Sequence, residues 1–357
     1  MEELNKTRKK IDELNEKIAL LLDERISLVK EIGNIKNKNK IPIIDKEREN
    51  QIIEKLSKLN YKYAQFQDIE KVFEKILSIS RIIQDCSYNI TFLGPRGTFS
   101  EQAAQTYFSP KCNYIPLKSI SDIFRSVRVG EADFGVVPIE NSTTGSIGLT
   151  LDLLLESDIV VSGEIIEKIT LCLVAPENLE LKDINQIYSH PQPFSQSRKY
   201  LEENLSNAEL ITTKSTANAA ETVSKLKNAA AISSELAGKI YNLKIIRKGI
   251  EDAPNNYTRF FVIGKFQVPE TGKDKTSIAF SVKHVPGALV KALKVFAERN
   301  INLTKLESRP SKTTPWEYFF YTDFEGHRDN KLCEEALQEL KSYTNMIKIF
   351  GSYPISE

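Results

Sequence analysis

Three fold classes in succession are predicted along this chain: an all-α segment over residues 1–88, an α/β segment over 89–266, and an α+β segment over 276–354. Three observations carry the prediction. Residues 1–88 hold one glycine, Gly33, and one proline, Pro42, and are dense in Lys, Glu, Ile and Leu, the usage of long helices. From Asn89 onward, short β-branched runs alternate with amphipathic helical stretches, the pattern of α/β units with largely parallel sheets. After a polar stretch, Gln267–Lys275, which reads as a linker, the elements follow the order βαββαβ of a ferredoxin-like fold.

In the first helix, Ile11, Leu14, Ile18, Leu21, Arg25, Leu28, Ile32 and Ile35 step by threes and fours and trace one packing seam, in which Arg25 takes a core position. A buried guanidinium needs an anion or another acceptor. Lys36 lies about 20° beyond three full turns from Arg25 and about 16 Å along the helix, so the two share a face. Arg8 lies about 25 Å from Arg25 and about 100° around, and so suits a site on a partner chain. A second helix sets Asp45, Glu49, Ile52, Leu56 and Leu59 on one stripe, with Arg48 adjacent. A third sets Ile69, Phe73, Ile76, Ser80 and Ile83 together, with Gln84 one turn after Ser80. Spacing leaves two readings open: internal salt bridges of a bundle, such as Arg25 with Glu49, or a small polyanion held by several cations.

Strands are predicted at Ile90–Leu93, Phe134–Ile139, Thr170–Val174, Ile187–Ser189, Ala230–Ile232, Ile245–Arg247 and Arg259–Ile263. Their ends carry polar loops: Gly94–Ser100, Glu140–Ser146, Ser189–Gln196, Lys214–Asn218 and Ile232–Glu235. Ligands bind beyond strand C-termini in open α/β sheets, so these loops point to a cleft. Thr98 and Ser100 can cap a helix or bind a carboxylate. His190 sits among turn residues, where ligand contact or turn stabilisation is as natural as catalysis. In the last segment we expect strands Thr276–Val282, Asn302–Glu307, Glu317–Thr322 and Met346–Gly351, with helices Gly287–Arg299 and Lys331–Tyr343.

Composition excludes more than it identifies. With 49 Lys+Arg against 48 Asp+Glu the net charge is +1, so no global basic field gathers nucleic acid or lipid headgroups. Four dispersed cysteines and three histidines form no metal-ligand cluster, and we expect free thiols, a reducing compartment and no metal site. No apolar run reaches the ~20 residues of a membrane span, and the charged start does not resemble a signal peptide. A cytoplasmic protein is expected. No Gly-x-Gly-x-x-Gly follows a strand, which disfavours dinucleotide chemistry, and no cofactor is expected. A solute-sensing protein with a non-catalytic cleft is the competing class.

Arg8, Arg25, Lys36, Asp45, Arg48, Glu49, Ser80 and Gln84 resemble, in type, order and spacing, the active-site set of the all-helical chorismate mutases. That resemblance implies an intertwined helical dimer in which Arg8 reaches the partner's site. It also implies that Arg8, Arg25 and Arg48 grip the carboxylates of chorismate, that Glu49 and Asp45 orient its hydroxyl region, and that Lys36 and Gln84 donate to the ether oxygen. Gly-Pro-Arg-Gly-Thr-Phe-Ser at 94–100, Pro-Ile-Glu-Asn-Ser at 138–142, Ser-His-Pro-Gln at 189–192 and Asn-Tyr-Thr-Arg-Phe at 256–260 resemble the prephenate dehydratases. Ser197 departs from them, where a cysteine is common. The implied fold is a pair of α/β subdomains like those of periplasmic binding proteins, with the chain crossing between them twice. The implied roles are Thr258 as donor to the leaving hydroxyl of prephenate, with Thr98, Ser100, Glu140, Asn141, Ser142, Thr143, His190, Gln196, Asn256 and Arg259 around it. Gly287, Ala288, Leu289 and Val290, with Glu307, Ser308, Arg309 and Pro310, resemble the phenylalanine-binding motifs of regulatory ACT domains. Such sites form between paired domains, so a dimer or tetramer, feedback control by phenylalanine and a removable regulator are implied.

Overall fold

A computed structural model describes residues 2–38, 46–83, 88–109, 111–311 and 317–356, and divides the chain into two compact units. Met1–Ser87 with Ser109–Asn113 form one unit, and the rest of the chain forms the other. The α/β and ferredoxin-like segments therefore pack as one body.

The first unit holds α1 (Glu2–Lys38), α2 (Lys46–Ser57) and α3 (Phe66–Ile83). Both α1 and α2 pack on α3. On α3 the expected stripe of Ile69, Phe73, Ile76 and Ser80 faces inward, joined by Leu77. On α1 the packed stripe is Leu22, Ile26, Val29 and Gly33, with Arg25 and Lys36 at its edge. The seam expected from spacing is instead open: Ile11, Leu14, Ile18, Leu21, Leu28, Ile32 and Ile35 are each 46–64% exposed. The helix carries two apolar stripes, and periodicity alone does not say which one meets a neighbour within the chain.

The second unit begins with β1 (Asn89–Leu93), α4 (Phe99–Tyr107), β2 (Asn113–Leu117), α5 (Ile120–Val129), β3 (Phe134–Asn141), β4 (Gly145–Ser146), α6 (Gly148–Glu156) and β5 (Val160–Lys168). The chain then builds β6 (Cys172–Ala175), β7 (Gln186–Ser189), α7 (Pro191–Gln196), α8 (Arg198–Asn204), β8 (Glu209–Thr212), α9 (Thr216–Val223), β9 (Ala229–Ser233), α10 (Glu235–Ile240) and β10 (Lys244–Lys248). It returns through β11 (Tyr257–Gly264). The first sheet runs β2-β1-β3-β11-β5 with β4 on β3, and the second runs β10-β6-β9-β7-β8. The chain thus crosses between them twice. Both sheets are mixed rather than largely parallel: β11 is antiparallel to β3 and β5, and β6 is antiparallel to β9 and β10. Strands β2, β5 and β8 escape sequence patterning. β2 contains Pro116, β5 contains Gly163 and Glu164, and β8 is an exposed edge.

The last six elements are β12 (Asp274–Val282), α11 (Ala288–Ala297), β13 (Leu303–Pro310), β14 (Tyr318–Glu325), α12 (Lys331–Tyr343) and β15 (Thr344–Pro354), in the expected order. Their antiparallel sheet runs β13-β14-β12-β15, the strand arrangement of a ferredoxin-like fold.

One apolar cluster joins this sheet to the first: Val137, Val161, Phe261 and Ile263 pack with Ala279, Tyr321, Phe350 and Tyr353. β15 lies so close to β5 that a Cβ at Gly351 would fall 2.0 Å from the carbonyl oxygen of Val161. The supposed linker is likewise folded. Asp274 accepts from the backbone amides of Thr271 and Gly272 at 2.8 and 3.0 Å, and buried His327 sits 3.0 Å from the Val268 carbonyl. The regulator expected to be removable shares a core with its neighbour. Of the thiols expected to be free, Cys172 and Cys333 are free and buried, Cys112 is disulfide-bonded, and Cys86 lies outside the described residues.

Candidate active sites

In the helical unit, α1 and α3 bring two expected residues into contact. Arg25 donates to Ser80 Oγ at 2.5 Å, and that hydroxyl donates one turn back to the Ile76 carbonyl at 2.7 Å. Desolvation pushes the Arg25 guanidinium below its ordinary pKa. Lys36 and Glu49 are half-buried on the inward faces of α1 and α2, whereas Arg8 and Arg48 are exposed, Arg48 standing 3.4 Å from Gln51. Asp45 and Gln84 lie outside the described residues.

In the second unit the polar centre is Asn141, at the end of β3. Its Oδ1 accepts from the backbone amides of Thr143 and Thr144 at 3.0 and 3.1 Å, so the other side of the amide must donate. Nδ2 reaches Thr258 Oγ1 at 2.9 Å, Asn256 Oδ1 at 2.8 Å and the Tyr257 carbonyl at 3.1 Å. Asn141, Asn256 and Thr258 are all buried. Because Thr258 Oγ1 accepts from Asn141, its own proton is left to point elsewhere. The turn is fastened further: Ser142 Oγ donates to the Asn255 carbonyl at 3.1 Å, and Gln196 Nε2 reaches Thr143 Oγ1 at 3.2 Å. Six expected residues, Asn141, Ser142, Thr143, Gln196, Asn256 and Thr258, therefore form one hydrogen-bonded group.

Other expected residues serve different ends. His190 caps α7, its Nδ1 accepting from the Gln192 amide at 3.4 Å, the turn-stabilising alternative. Thr98 caps α4 and donates to the Leu93 carbonyl at 2.8 Å, with Ser100 buried in the same helical turn. Glu140 and Arg259 have partners outside that group. They form the cross-strand pair next to Asn141 and Thr258 and project to the opposite face, as alternation along a strand requires. Arg259 donates to Glu164 at 2.8 Å, to Asp323 at 2.5 Å and to the Tyr353 hydroxyl at 2.9 Å. Burial would lower its pKa, but Tyr353, Asp323 and Glu164 outweigh burial and raise it. Lys275 gives Glu164 a second cation at 2.8 Å. Glu140 accepts from Lys305 at 2.8 Å.

Sequence reasoning missed Glu164, Lys275, Lys305, Asp323 and Tyr353. A carboxylate among the apolar residues of Val160–Ile166 was the available signal. It also missed Glu101, fully buried, which takes the Gly97 amide at 2.6 Å and the Arg96 guanidinium at 3.1 Å and so shapes the loop after β1. Ser234, beyond β9, donates to the Gly97 carbonyl at 2.7 Å and ties the second sheet's loops to that one.

In the C-terminal sheet, Gly287–Val290 line a cavity of about 730 Å³ with His284, Tyr318 and Phe320. Gly287 adopts a left-handed φ of 79° to start α11, a conformation in which an L side chain is strained. Glu307 and Arg309 do not join that cavity in one chain. They face the first sheet, Arg309 lying 3.6 Å from Asp152 and over Gly148, while Ser308 and Pro310 alternate outward into solvent. Among the described residues no group of three or more His, Cys, Asp or Glu is placed to hold a metal, and no helix is long and apolar enough to cross a membrane.

Comparison with known proteins gives this geometry its family. The sequence profile described as Chorismate mutase type II matches residues 7–85, that of Prephenate dehydratase matches 90–268, and that of the ACT domain matches 276–342. A protein of Aquifex aeolicus (strain VF5) named bifunctional chorismate mutase/prephenate dehydratase is 43% identical over 359 residues, spanning 99% of this chain and 98% of its own. The crystal structure of prephenate dehydratase from Arthrobacter aurescens in complex with L-Phe is 34% identical at a TM-score of 0.70, covering 75% of this chain and 90% of that one. A structure titled as a novel type of quorum-quenching acylase, GqqA, is 30% identical at the same TM-score, covering 75% of this chain and 98% of that one. This chain belongs to the bifunctional chorismate mutase/prephenate dehydratase family and carries a mutase, a dehydratase and an ACT domain in that order.

Proposed function

We propose that this chain rearranges chorismate to prephenate in its helical unit, then dehydrates and decarboxylates prephenate to phenylpyruvate, under feedback inhibition by phenylalanine. The supporting observation is the Asn141–Thr258 hydrogen bond, which leaves a buried threonine hydroxyl free to donate within a ring of amide and hydroxyl groups.

The rearrangement is pericyclic and needs no nucleophile. Arg25, held by Ser80, and Lys36 on the same face supply positive charge for a dicarboxylate and for the ether oxygen on which negative charge grows. The open stripe of α1 supports a dimer: a second copy of α1 covers Ile11 to Ile35, and the exposed Arg8 serves the partner's site. In the second reaction the ring carboxylate leaves as carbon dioxide and its bonding electrons complete the aromatic ring. The ring hydroxyl takes up a proton and departs as water. Thr258 positions and donates to that oxygen, and Asn141 fixes the direction of the donation. For the effector, the Gly287–Val290 cavity offers amides for a carboxylate and apolar room for an aromatic ring, with the outward Ser308 face of a paired domain completing it.

Purified protein supplied with chorismate should form phenylpyruvate without added enzyme, and phenylalanine should slow it. Prephenate accumulating without phenylpyruvate would remove the second activity from the reading, unconsumed chorismate would remove the first, and added prephenate left unconsumed as well would remove both.

A further inference from the structure

β3 and β11 pair Asn141 with Thr258 and, one residue along, Glu140 with Arg259. Both members of the second pair end on the C-terminal domain. Arg259 reaches Asp323 and Tyr353 there, and Glu140 receives the ammonium of Lys305 on β13 at 2.8 Å. Lys305 is 10% exposed, donates to Ser146 Oγ at 2.7 Å and stands 3.3 Å from Glu307, to which Ser146 also donates. β4 pairs Ser146 with Glu140 and Gly145 with Asn141. The turn that carries Asn141 is thus held by Thr258 on one side and by Lys305 on the other.

We propose that Lys305 is the contact through which the C-terminal domain sets the position of the Asn141–Thr258 pair, so that phenylalanine acts on dehydration through the turn from Glu140 to Ser146. The inference rests on the effector reading above and names its route. Lys305, Glu307 and Arg309 share the inward face of β13, and Ser308 and Pro310 its outward face. A strand moves as a stiff piece, so a ligand or neighbouring domain that displaces the outward face carries Lys305 with it. Hydrogen bonds weaken steeply once they stretch beyond ~3.5 Å, so a displacement of about 1 Å breaks the hold on Glu140 and Ser146. The turn then has two arrangements whose balance the effector biases.

The test uses the full-length protein and its Lys305→Met and Lys305→Arg variants. Phenylalanine binding is followed by calorimetry, prephenate dehydration is assayed with and without phenylalanine, and mutase turnover serves as an internal check. Lys305→Met should bind phenylalanine nearly as the parent does, but its dehydration without phenylalanine should already fall toward the parent's inhibited rate, so that the further inhibition by phenylalanine shrinks by about tenfold, within the usual range of allosteric coupling. Lys305→Arg, which keeps the charge, should restore most of the basal rate and of its inhibition by phenylalanine. Undiminished inhibition of Lys305→Met, with binding intact, would overturn the inference alone. A parent protein that neither binds phenylalanine nor responds to it overturns the effector reading and this route with it. Should Lys305→Met fail to fold, Ser146→Ala decides: a weakened response supports the route, and an unchanged one overturns it.

Discussion

Along the seam of α1, Arg25 is half-buried while its apolar companions from Ile11 to Ile35 stand in solvent; around Thr258 every neighbour in the polar group is fastened by the same chain. The helical unit holds its charged residues on faces that one chain only partly covers. The second unit fastens its polar group between two strands, a turn and α7, with Asn141, Asn256 and Thr258 buried. The difference separates two ways of placing polar groups: on faces that one chain leaves open, which the proposed dimer would cover, and within a single chain that a neighbouring domain braces.

The strongest way to break that comparison is to remove one donor from each site. Thr258→Val is close to isosteric, and Asn141 Nδ2 keeps Asn256 and the Tyr257 carbonyl as acceptors, so the strands should hold. Dehydration should fall by ~10²–10³, the typical cost of one preorganised donor, with mutase turnover unchanged. Lys36→Ala should do the reverse, cutting mutase turnover by ~10²–10³ while dehydration of added prephenate continues. Parallel steady-state assays on both variants check this. Loss of both activities in either variant would show that the two sites are not independent.

Next in size is the bracing itself. Arg259→Ala would leave Glu164 and Asp323 buried, with Lys275 as the remaining cation beside Glu164. Removing one member of a buried ion pair costs about 3–5 kcal/mol, so the second unit should melt well below the helical unit's transition or below its own parent value. Calorimetry resolves the two transitions. An unchanged profile would mean that the shared apolar core, rather than the ion network, joins the two sheets.

How far the sequence carried the site follows from these same residues. That Asn141 and Thr258 come together was legible because each sits in a short motif beside a recognisable strand. Arg259 stands in the same motif and was assigned to the cleft, because a motif gives adjacency along the chain and not the face to which a side chain turns. Its partners Asp323 and Tyr353 come from strands more than sixty residues later. β5, which supplies Glu164, was not recognised as a strand at all, since its glycine and glutamates hide a buried β-strand. On α1 the failure ran the other way: the apolar period was found correctly, but the chain covers the other stripe.

A smaller effect sharpens the claim that α1 awaits a second copy. Leu21 is 64% exposed, so Leu21→Asp costs one chain little. In a dimer it would lose about 1.5–3 kcal/mol per buried leucine, once for each subunit. Sedimentation equilibrium should show the parent as a dimer or larger and the variant shifted toward monomer. Mutase activity should fall on dilution while dehydration holds. A variant as fully associated as the parent would move the dimer contact off this stripe.

The smallest expected effect concerns an exposed contrast to the buried network. Glu235, at the start of α10, is hydrogen-bonded by Lys239 and Lys248 at 2.7 and 2.6 Å, which together push its carboxyl down to about 2. Its side chain is about one-third exposed, so solvent screening limits the contribution to less than about 1 kcal/mol. A folded-state pKa below the unfolded value of ~4.3 gives stability that is present above pH ~4.3 and lost as pH falls toward 2. Urea midpoints of the parent and Glu235→Gln should therefore differ slightly at pH 6 and converge as the pH approaches 2. Comparing the two proteins cancels the titration of every other carboxylate. A difference that stayed constant with pH would assign the effect to hydrogen bonding by the side chain rather than to its charge, and would leave the Arg259 network as the charge-dependent brace of the second unit.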